Sequence, residues 1–154
     1  MTPNQFLARF AGGIVFWSTK DPVYPTSPGV QLAPGGGAWS SLSDVNSKEH
    51  FRELAGDEVL QKLAAMPIRT WSYKSQDAAI RHAGPTAQDF HAAFGLGEDP
   101  RRISTIDADG IALAGVQALE ARTRGLVERA DRLERENLDL RRRLDQLERL
   151  LERR

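Results

Sequence analysis

The chain has 154 residues, which is enough for one globular domain with extensions. Its 21 basic and 21 acidic side chains give a formal net charge of zero, so no overall field attracts nucleic acid or an anionic membrane. It contains no cysteine, which excludes disulfides, thiol catalysis and thiolate metal sites, and no apolar run approaches the roughly 18 residues of a membrane-spanning helix.

Residues 1–42 alternate short apolar runs with glycine and proline. The segments that set this pattern are Phe6-Leu7, Gly12-Gly13, Ile14–Trp17, Pro22, Pro25, Pro28, Pro34 and Gly35–Gly37. Such punctuation predicts short strands and turns. Because so few apolar residues cannot enclose a core, we interpret residues 1–42 as the β-rich end of a fibre or stalk region that is shared between chains.

Residues 43–111 have the composition of a small mixed α+β domain. A first helix is predicted with Asp57 as its cap, and Pro67 stops it. Two strands are predicted to follow, over Ile68–Lys74 and Ala79–Ala83.

A second helix is predicted in the same domain. Pro85 fits its first turn, because the fixed backbone of proline suits that position, and the helix runs through Phe94. Gly95 ends it, because glycine readily adopts the left-handed conformation that closes a helix. Residues 95–102 are then predicted to form a loop.

Residues 112–154 carry a heptad repeat, with successive steps of three and four residues. The a and d positions, which we call the seam, are Val116, Leu119, Thr123, Leu126, Ala130, Leu133, Asn137, Leu140, Leu144, Leu147 and Leu151. The pattern predicts a long coiled-coil helix from about Ala112 to Arg154, capped by Asp107 or Asp109. A single helix cannot bury this stripe of leucine, so partner helices are expected.

The charges beside the seam indicate how those helices lie. In a parallel coiled coil, a g residue faces the e residue five positions later on the neighbouring helix. Three such pairs are opposite in sign, namely Arg129 with Glu134, Glu136 with Arg141, and Arg143 with Glu148. We therefore predict parallel helices in register. Asn137 favours the same register, because a buried amide penalises any alignment that leaves it unpaired. The heptad by itself permits a dimer or a trimer.

An ordered set of short motifs resembles one known family. The motifs are Trp39, Ser43-Asp44-Val45-Asn46-Ser47-Lys48, Met66-Pro67, Trp71-Ser72-Tyr73-Lys74, the segment from His82 to Phe90, and Asp107-Ala108-Asp109-Gly110 followed by Gln117. Across residues 30–125 they resemble the endosialidase-type intramolecular chaperones, which are self-cleaving C-terminal domains of phage tail spikes, tail fibres and related bacterial proteins. The resemblance implies a parallel homotrimer that helps its host fibre fold and then cuts itself off. It also implies a phage tail component, or the bacterial cytoplasm during assembly, as the location.

The resemblance assigns the chemistry to two residues. Ser43 matches the family's nucleophile and is the first residue after the cut, and Lys48 matches its general base. The scissile bond is then Leu42–Ser43, and the products are residues 1–42 and 43–154. Whether Ser43 attacks within its own chain or across a subunit interface stays open.

Elementary chemistry explains why a serine and a lysine suit the cleavage of a peptide bond. A serine hydroxyl is a poor nucleophile until a base takes its proton. Lysine takes a proton only as the neutral amine, and its reference pKa of about 10.4 means that the amine must be desolvated or placed near another cation. Assembly of several chains is expected to supply such a pocket, which links cleavage to correct folding.

The oxyanion that forms during acyl transfer needs hydrogen-bond donors. His82 and Asn46 are the candidates, and Gln88 is a weaker one. Each also has an ordinary structural interpretation: Asn46 as a turn or cap residue, His82 as a locally bonded strand residue, and Gln88 as a satisfied buried amide. Ser41 and Ser47 are lesser hydroxyl candidates.

Other functions are weighed against this one. We predict no cofactor and no metal site, because His50, His82 and His91 lack the spacing of ligands. A leucine-zipper transcription factor is disfavoured, because residues 105–121 contain no lysine or arginine to form a basic helix.

The partners expected are further copies of the chain and the upstream fibre segment, with no nucleic acid and no membrane. The alternative function is an oligomerisation stalk or adaptor that never cuts.

Overall fold

The computed structural model describes residues 4–23 and 26–153. The chain divides into two compact units, Met1–Glu53 and Leu54–Arg154. The predicted α+β class is confirmed, with a short β-rich segment first, small sheets, and a long helix at the C-terminal end. The predicted turn residue Pro25 and the last residue of the predicted helix, Arg154, lie outside the described residues.

The first unit is built on a three-stranded antiparallel sheet. Its strands, in chain order and in sheet order, are β1 (Ile14–Trp17), β2 (Gly29–Leu32) and β3 (Trp39–Ser41). The ring centroids of Phe16 and Trp39 lie 5.6 Å apart across the sheet. Gly13 enters β1 with a φ of +84°, and a Cβ there would lie 2.5 Å from the Leu32 carbonyl oxygen, so glycine is required at this position. The short strands predicted for residues 1–42 are therefore present.

The second unit contains three helices and a two-stranded antiparallel ribbon. Its elements are α1 (Gly56–Ala65), β4 (Arg69–Trp71), β5 (His82–Gly84), α2 (Ala87–Phe94) and α3 (Thr105–Glu152). Helix α1 ends before Pro67 as predicted, but its cap is Ala55, and Asp57 lies in the first turn instead. An acidic residue stabilises the start of a helix both at the cap and in the first turn. Asp57 therefore indicates where the helix begins but does not identify its cap residue.

The ribbon differs from the two predicted strands. The predicted strand Ile68–Lys74 shortens to β4, and the predicted strand Ala79–Ala83 moves to β5. The cause is a turn that begins at Asp77, whose carboxylate accepts a hydrogen bond from the Ala79 N–H at 2.8 Å. The Ile80 N–H also donates to the Asp77 carbonyl oxygen at 3.0 Å, so these residues close a turn and cannot pair in a ladder.

Helix α2 is fixed at both ends by local hydrogen bonds. Its cap is Thr86, whose hydroxyl accepts the Asp89 N–H at 3.1 Å, so Pro85 lies before the cap and not in the first turn. At the other end, Gly95 adopts a φ of +65° and its N–H donates to the His91 carbonyl oxygen at 2.8 Å. The predicted end of this helix is confirmed.

Helix α3 begins at Thr105 with Ser104 as its cap residue, so both the predicted start near Ala112 and the predicted caps Asp107 and Asp109 are wrong. The first turns of α3 pack against α1 and supply part of the core. Among the described residues, the buried apolar side chains are those of Val59, Phe90 and Ile111. The heptad pattern does not extend into these turns, because they face α1.

Ile111→Ala is expected to destabilise the second unit by about 2–5 kcal/mol, because a buried aliphatic side chain is removed from a small core. Ile111 is 2% exposed, whereas Ile106 on the same helix is 52% exposed. Ile106→Ala is therefore the matched control, with an expected loss below about 1 kcal/mol. Urea denaturation of the full chain, at one fixed protein concentration and followed by circular dichroism, compares the two variants. Equal transition midpoints for the two variants would contradict this core assignment.

Beyond its first turns, α3 contacts no other element of the described chain, and its seam leucines are exposed. Its ion pairs there run within the helix, from Arg124 Nη2 to Glu120 Oε2 at 2.6 Å and from Arg143 Nε to Asp139 Oδ2 at 2.8 Å. The Asn137 side-chain amide donates to the Leu133 carbonyl oxygen at 2.9 Å. Within residues 4–23 and 26–153, no helix has both the length and the hydropathy needed to cross a bilayer.

Candidate functional site

The site begins where the chain leaves the sheet. Strand β3 ends at Ser41, which pairs with Val30 of β2. The next N–H, that of Leu42, donates to the Gly29 carbonyl oxygen at 3.2 Å. The Leu42–Ser43 peptide is therefore anchored to the sheet on its N-terminal side.

A single 3-10 turn, Val45–Ser47, follows this peptide. Asp44 caps it, because the Asp44 carboxylate accepts hydrogen bonds from the Asn46 backbone N–H at 2.7 Å and from the Asn46 side-chain amide at 3.0 Å. Lys48 leaves the turn in an extended conformation, and its N–H donates to the Val45 carbonyl oxygen at 3.3 Å. One turn of tight helix between positions 43 and 48 brings their side chains to the same side.

The side chains of Ser43 and Lys48 are in direct contact. The Lys48 Nζ donates a hydrogen bond to the Ser43 Oγ at 2.6 Å, and both residues are exposed in the single chain. A charged-donor hydrogen bond of this length holds the amine and the hydroxyl at the distance that proton transfer requires. The geometry therefore permits Lys48, when neutral, to take the Ser43 proton.

A cleft of about 220 Å³ runs along the sheet beside the Leu42–Ser43 peptide. Its lining residues all belong to the first unit and are Val15, Trp17, Ser27, Gly29, Val30, Gln31, Ser40, Ser41, Leu42 and Ser43. Ser41, a lesser hydroxyl candidate, therefore lies in the cleft wall. The cleft offers space for solvent or for a neighbouring chain beside the peptide.

Of the three donor candidates, Asn46 lies in the 3-10 turn between Ser43 and Lys48, where its side chain bonds Asp44. His82 lies on β5 in the second unit, where its Nε2 is 2.9 Å from the Gln76 Oε1 and its ring lies 4.8 Å from that of Trp71. Gln88 is an exposed residue of α2, so its interpretation as a buried amide is wrong for the single chain. These contacts match the ordinary structural interpretations of Asn46 and His82, and the oxyanion roles of all three residues stay predictions.

Ser47, the other lesser candidate, makes a contact that the sequence gives no reason to expect. Its hydroxyl donates to the Thr26 carbonyl oxygen at 2.8 Å, across 21 positions of sequence. The acceptor is a backbone oxygen, which any residue type carries, so no residue pattern marks it.

Comparison with known families identifies this region. The model of a peptidase family described as "chaperone of endosialidase" matches residues 43–95. Residues 43–95 are therefore similar to the endosialidase chaperones. The match starts at Ser43 and includes Lys48 and His82, so the resemblance seen in the sequence motifs is confirmed. No curated protein matches the chain.

The segment that the family model matches includes residues of both units of the structure. It includes the 3-10 turn of the first unit and the elements from α1 to α2 of the second unit. The sheet β1–β3 and the seam of α3 lie outside it. The hydrogen bond from the Ser47 hydroxyl to the Thr26 carbonyl oxygen therefore joins the matched segment to a part of the chain that the family model does not cover.

Proposed function

We propose that the chain is an intramolecular chaperone that trimerises and registers a fibrous client, and then releases itself by autoproteolysis between Leu42 and Ser43. The observation that carries the proposal is the 2.6 Å contact between the Lys48 Nζ and the Ser43 Oγ, at the residue where the family match begins. The client is the upstream fibre segment, of a phage tail fibre or tail spike, and the reaction turns over once per chain.

In the route within one chain, the neutral Lys48 amine takes the proton of the Ser43 hydroxyl, and the Ser43 Oγ attacks the Leu42 carbonyl carbon. The tetrahedral intermediate breaks the C–N bond between Leu42 and Ser43, and the Lys48 ammonium returns the proton to the departing nitrogen. An ester then joins the Leu42 carbonyl to the Ser43 Oγ. Water hydrolyses this ester, giving a Leu42 carboxylate and a chain that begins at Ser43. In the route between chains, the Ser43 of one copy attacks the Leu42 carbonyl of another with the same proton transfers.

Assembly supplies what the single chain lacks. Lys48 is exposed to water in the single chain. Burial of an amine in an apolar setting disfavours its charged form. Neighbouring chains packed over the site would exclude that water and favour the neutral amine that the reaction needs. Cleavage would then begin only after the chains have come together, which is the order that a folding helper requires.

The seam of α3 supports self-association. Its leucines are exposed in the single chain, and the charges at the flanking e and g positions are complementary in a parallel arrangement. Three chains in register would bury this stripe and hold the upstream strands side by side. Registration is the slow step of fibrous folding, because pairing of distant strands costs chain entropy before contacts compensate for it. After the helper is released, the fibre is kinetically trapped.

The second candidate is a permanent oligomerisation stalk, which the exposed seam favours without any use of Ser43. Expression of the full chain separates the two functions. We expect a denaturing gel and intact-mass measurement to show residues 1–42 and 43–154 as separate products, and we expect Ser43→Ala to stay whole. A wild-type chain that is folded and oligomeric but uncut would leave only the stalk.

A further inference from the structure

The hydroxyl of Ser47 joins the 3-10 turn between Ser43 and Lys48 to a loop that lies upstream of the proposed cut. Ser47 is half-buried, and its Oγ donates to the Thr26 carbonyl oxygen at 2.8 Å. Thr26 lies between β1 and β2, upstream of the Leu42–Ser43 bond, so it belongs to the client side.

Thr26 and Ser27, the two residues joined at the Thr26 carbonyl, are held by hydrogen bonds to Val23. The Ser27 hydroxyl accepts the Val23 N–H at 2.6 Å. The N–H groups of Thr26 and Ser27 both donate to the Val23 carbonyl oxygen at 2.9 Å. Since β1 and β2 pair up to Trp17 and Gly29, this loop closes a folded hairpin. The Thr26 carbonyl is therefore in place only when the hairpin has formed.

The same hairpin holds both sides of the proposed scissile bond. On the N-terminal side, the Leu42 N–H donates to the Gly29 carbonyl oxygen at 3.2 Å. On the C-terminal side, Ser47 bonds Thr26, three positions before Gly29. The Leu42–Ser43 peptide is thus held between two hydrogen bonds to one short stretch of backbone.

We propose that Ser47 is a positioning residue, which aligns Lys48 with Ser43 only when the β1–β2 hairpin of the client has folded. This inference rests on the proposed function, because it concerns the same cut. Ser47 precedes Lys48 directly, so fixing its side chain fixes the backbone from which the lysine extends. Small misplacements of a reacting group have large effects on rate, so a modest contact at this place controls the chemistry.

Ser47→Ala is expected to slow cleavage by about 10- to 100-fold, because the turn loses its tie to the hairpin. Ser47→Thr keeps the hydroxyl and is expected to restore the rate to within about threefold of wild type. The measurement is pulse-labelled cell-free synthesis of the full chain, with the chase resolved on a denaturing gel. Light scattering checks that the variants assemble to the same mass.

The matched control is Ser72→Ala in the second unit. The Ser72 hydroxyl also donates to a backbone carbonyl oxygen, that of Ala78, at 3.1 Å, and this bond lies within the second unit. This variant is expected to cleave at the wild-type rate. If Ser72→Ala slows cleavage as much as Ser47→Ala does, the effect is general loss of stability and the positioning role is overturned.

Ser27→Ala tests whether Ser47 acts through the hairpin. It removes the hydroxyl that accepts the Val23 N–H and so loosens the loop that presents the Thr26 carbonyl. If Ser47 and the loop form one pathway, the double variant is expected to cleave no more slowly than the slower single variant. Fully multiplicative effects would show that the two residues act separately, which overturns the proposal.

Hydrogen exchange in the uncleavable Ser43→Ala background keeps this inference distinct from the proposed function. Adding Ser47→Ala there is expected to raise exchange at the amides of Ser27 and Lys48, whether or not the wild-type chain cuts. Unchanged exchange at both amides would overturn the tie between turn and hairpin. By contrast, if the wild-type chain stays uncut but Ser47→Ala still raises exchange in the Ser43→Ala background, the proposed autoproteolysis is contradicted. The link between the turn and the hairpin is then still supported.

Discussion

Lys48→Arg is expected to slow cleavage at the Leu42–Ser43 bond by about 10²- to 10⁴-fold, which is the usual contribution of a general base. Arginine keeps the positive charge and the N–H donors that meet the Ser43 hydroxyl. Its guanidinium does not lose a proton at ordinary pH, however, so it provides no neutral base. The variant therefore separates proton transfer from hydrogen bonding. The rate is measured by pulse-labelled synthesis and a denaturing gel, and assembly is measured by light scattering.

The matched control for this variant is Lys62→Arg on α1. The Lys62 Nζ also lies 2.6 Å from an oxygen, the Glu58 Oε1, but this pair belongs to the second unit. An exposed pair within one helix contributes a few tenths of a kcal/mol, so cleavage at about the wild-type rate is expected. If Lys48→Arg also cuts at more than about a tenth of the wild-type rate, the amine is not the base, because a lost base costs more than that.

The ends of helices were largely predictable from the sequence, because local chemistry decides them. Pro67 cannot continue α1, and Gly95 supplies the left-handed residue that closes α2. The helix starts were less predictable. Asp57 stabilises the first turn without serving as the cap, and Ser104 precedes a stretch whose pattern is not heptad.

Tertiary contacts explain the other differences. The heptad repeat holds over the part of α3 that no other described element covers. Ile111 and Gly115 instead pack against α1, so the fit at that contact decides which residues suit these positions. A Cβ at Gly115 would lie 2.7 Å from the Leu63 Cδ1, so a larger residue there would require the Leu63 side chain to shift. The sequence pattern along one helix does not show which other element of the chain will pack against it.

For the candidate site, the sequence predicted which residues to examine but not how they are held. The five-residue spacing of Ser43 and Lys48 came from the family resemblance, and the 3-10 turn capped by Asp44 shows how that spacing brings the Nζ and Oγ atoms together. The bond from Ser47 to Thr26 depends on a backbone carbonyl and a folded hairpin. The strands of the hairpin were predictable from the residue pattern, but the choice of the Thr26 backbone carbonyl as acceptor was not, because every residue type carries that group.

Leu133→Asp is expected to disperse the oligomer and to suppress cleavage with it. Leu133 holds a d position in the middle of the seam, and burying one leucine side chain contributes about 1.5–3 kcal/mol for each chain that assembles. The substitution loses that contribution and brings carboxylates together where no cation faces them, which burial makes still more costly. Light scattering is expected to give the mass of a single chain, and the gel is expected to show that chain uncut.

The control is Leu138→Asp, five positions further along the same helix. Leu133 and Leu138 are 46% and 49% exposed in the single chain, so the two substitutions change similar surfaces. Leu138 occupies a b position, which faces away from the seam, so this variant is expected to stay assembled and to cut. In the proposed mechanism, the amine of Lys48 needs neighbouring chains to exclude water. A dispersed Leu133→Asp chain that still cuts efficiently would show that the chemistry is independent of assembly.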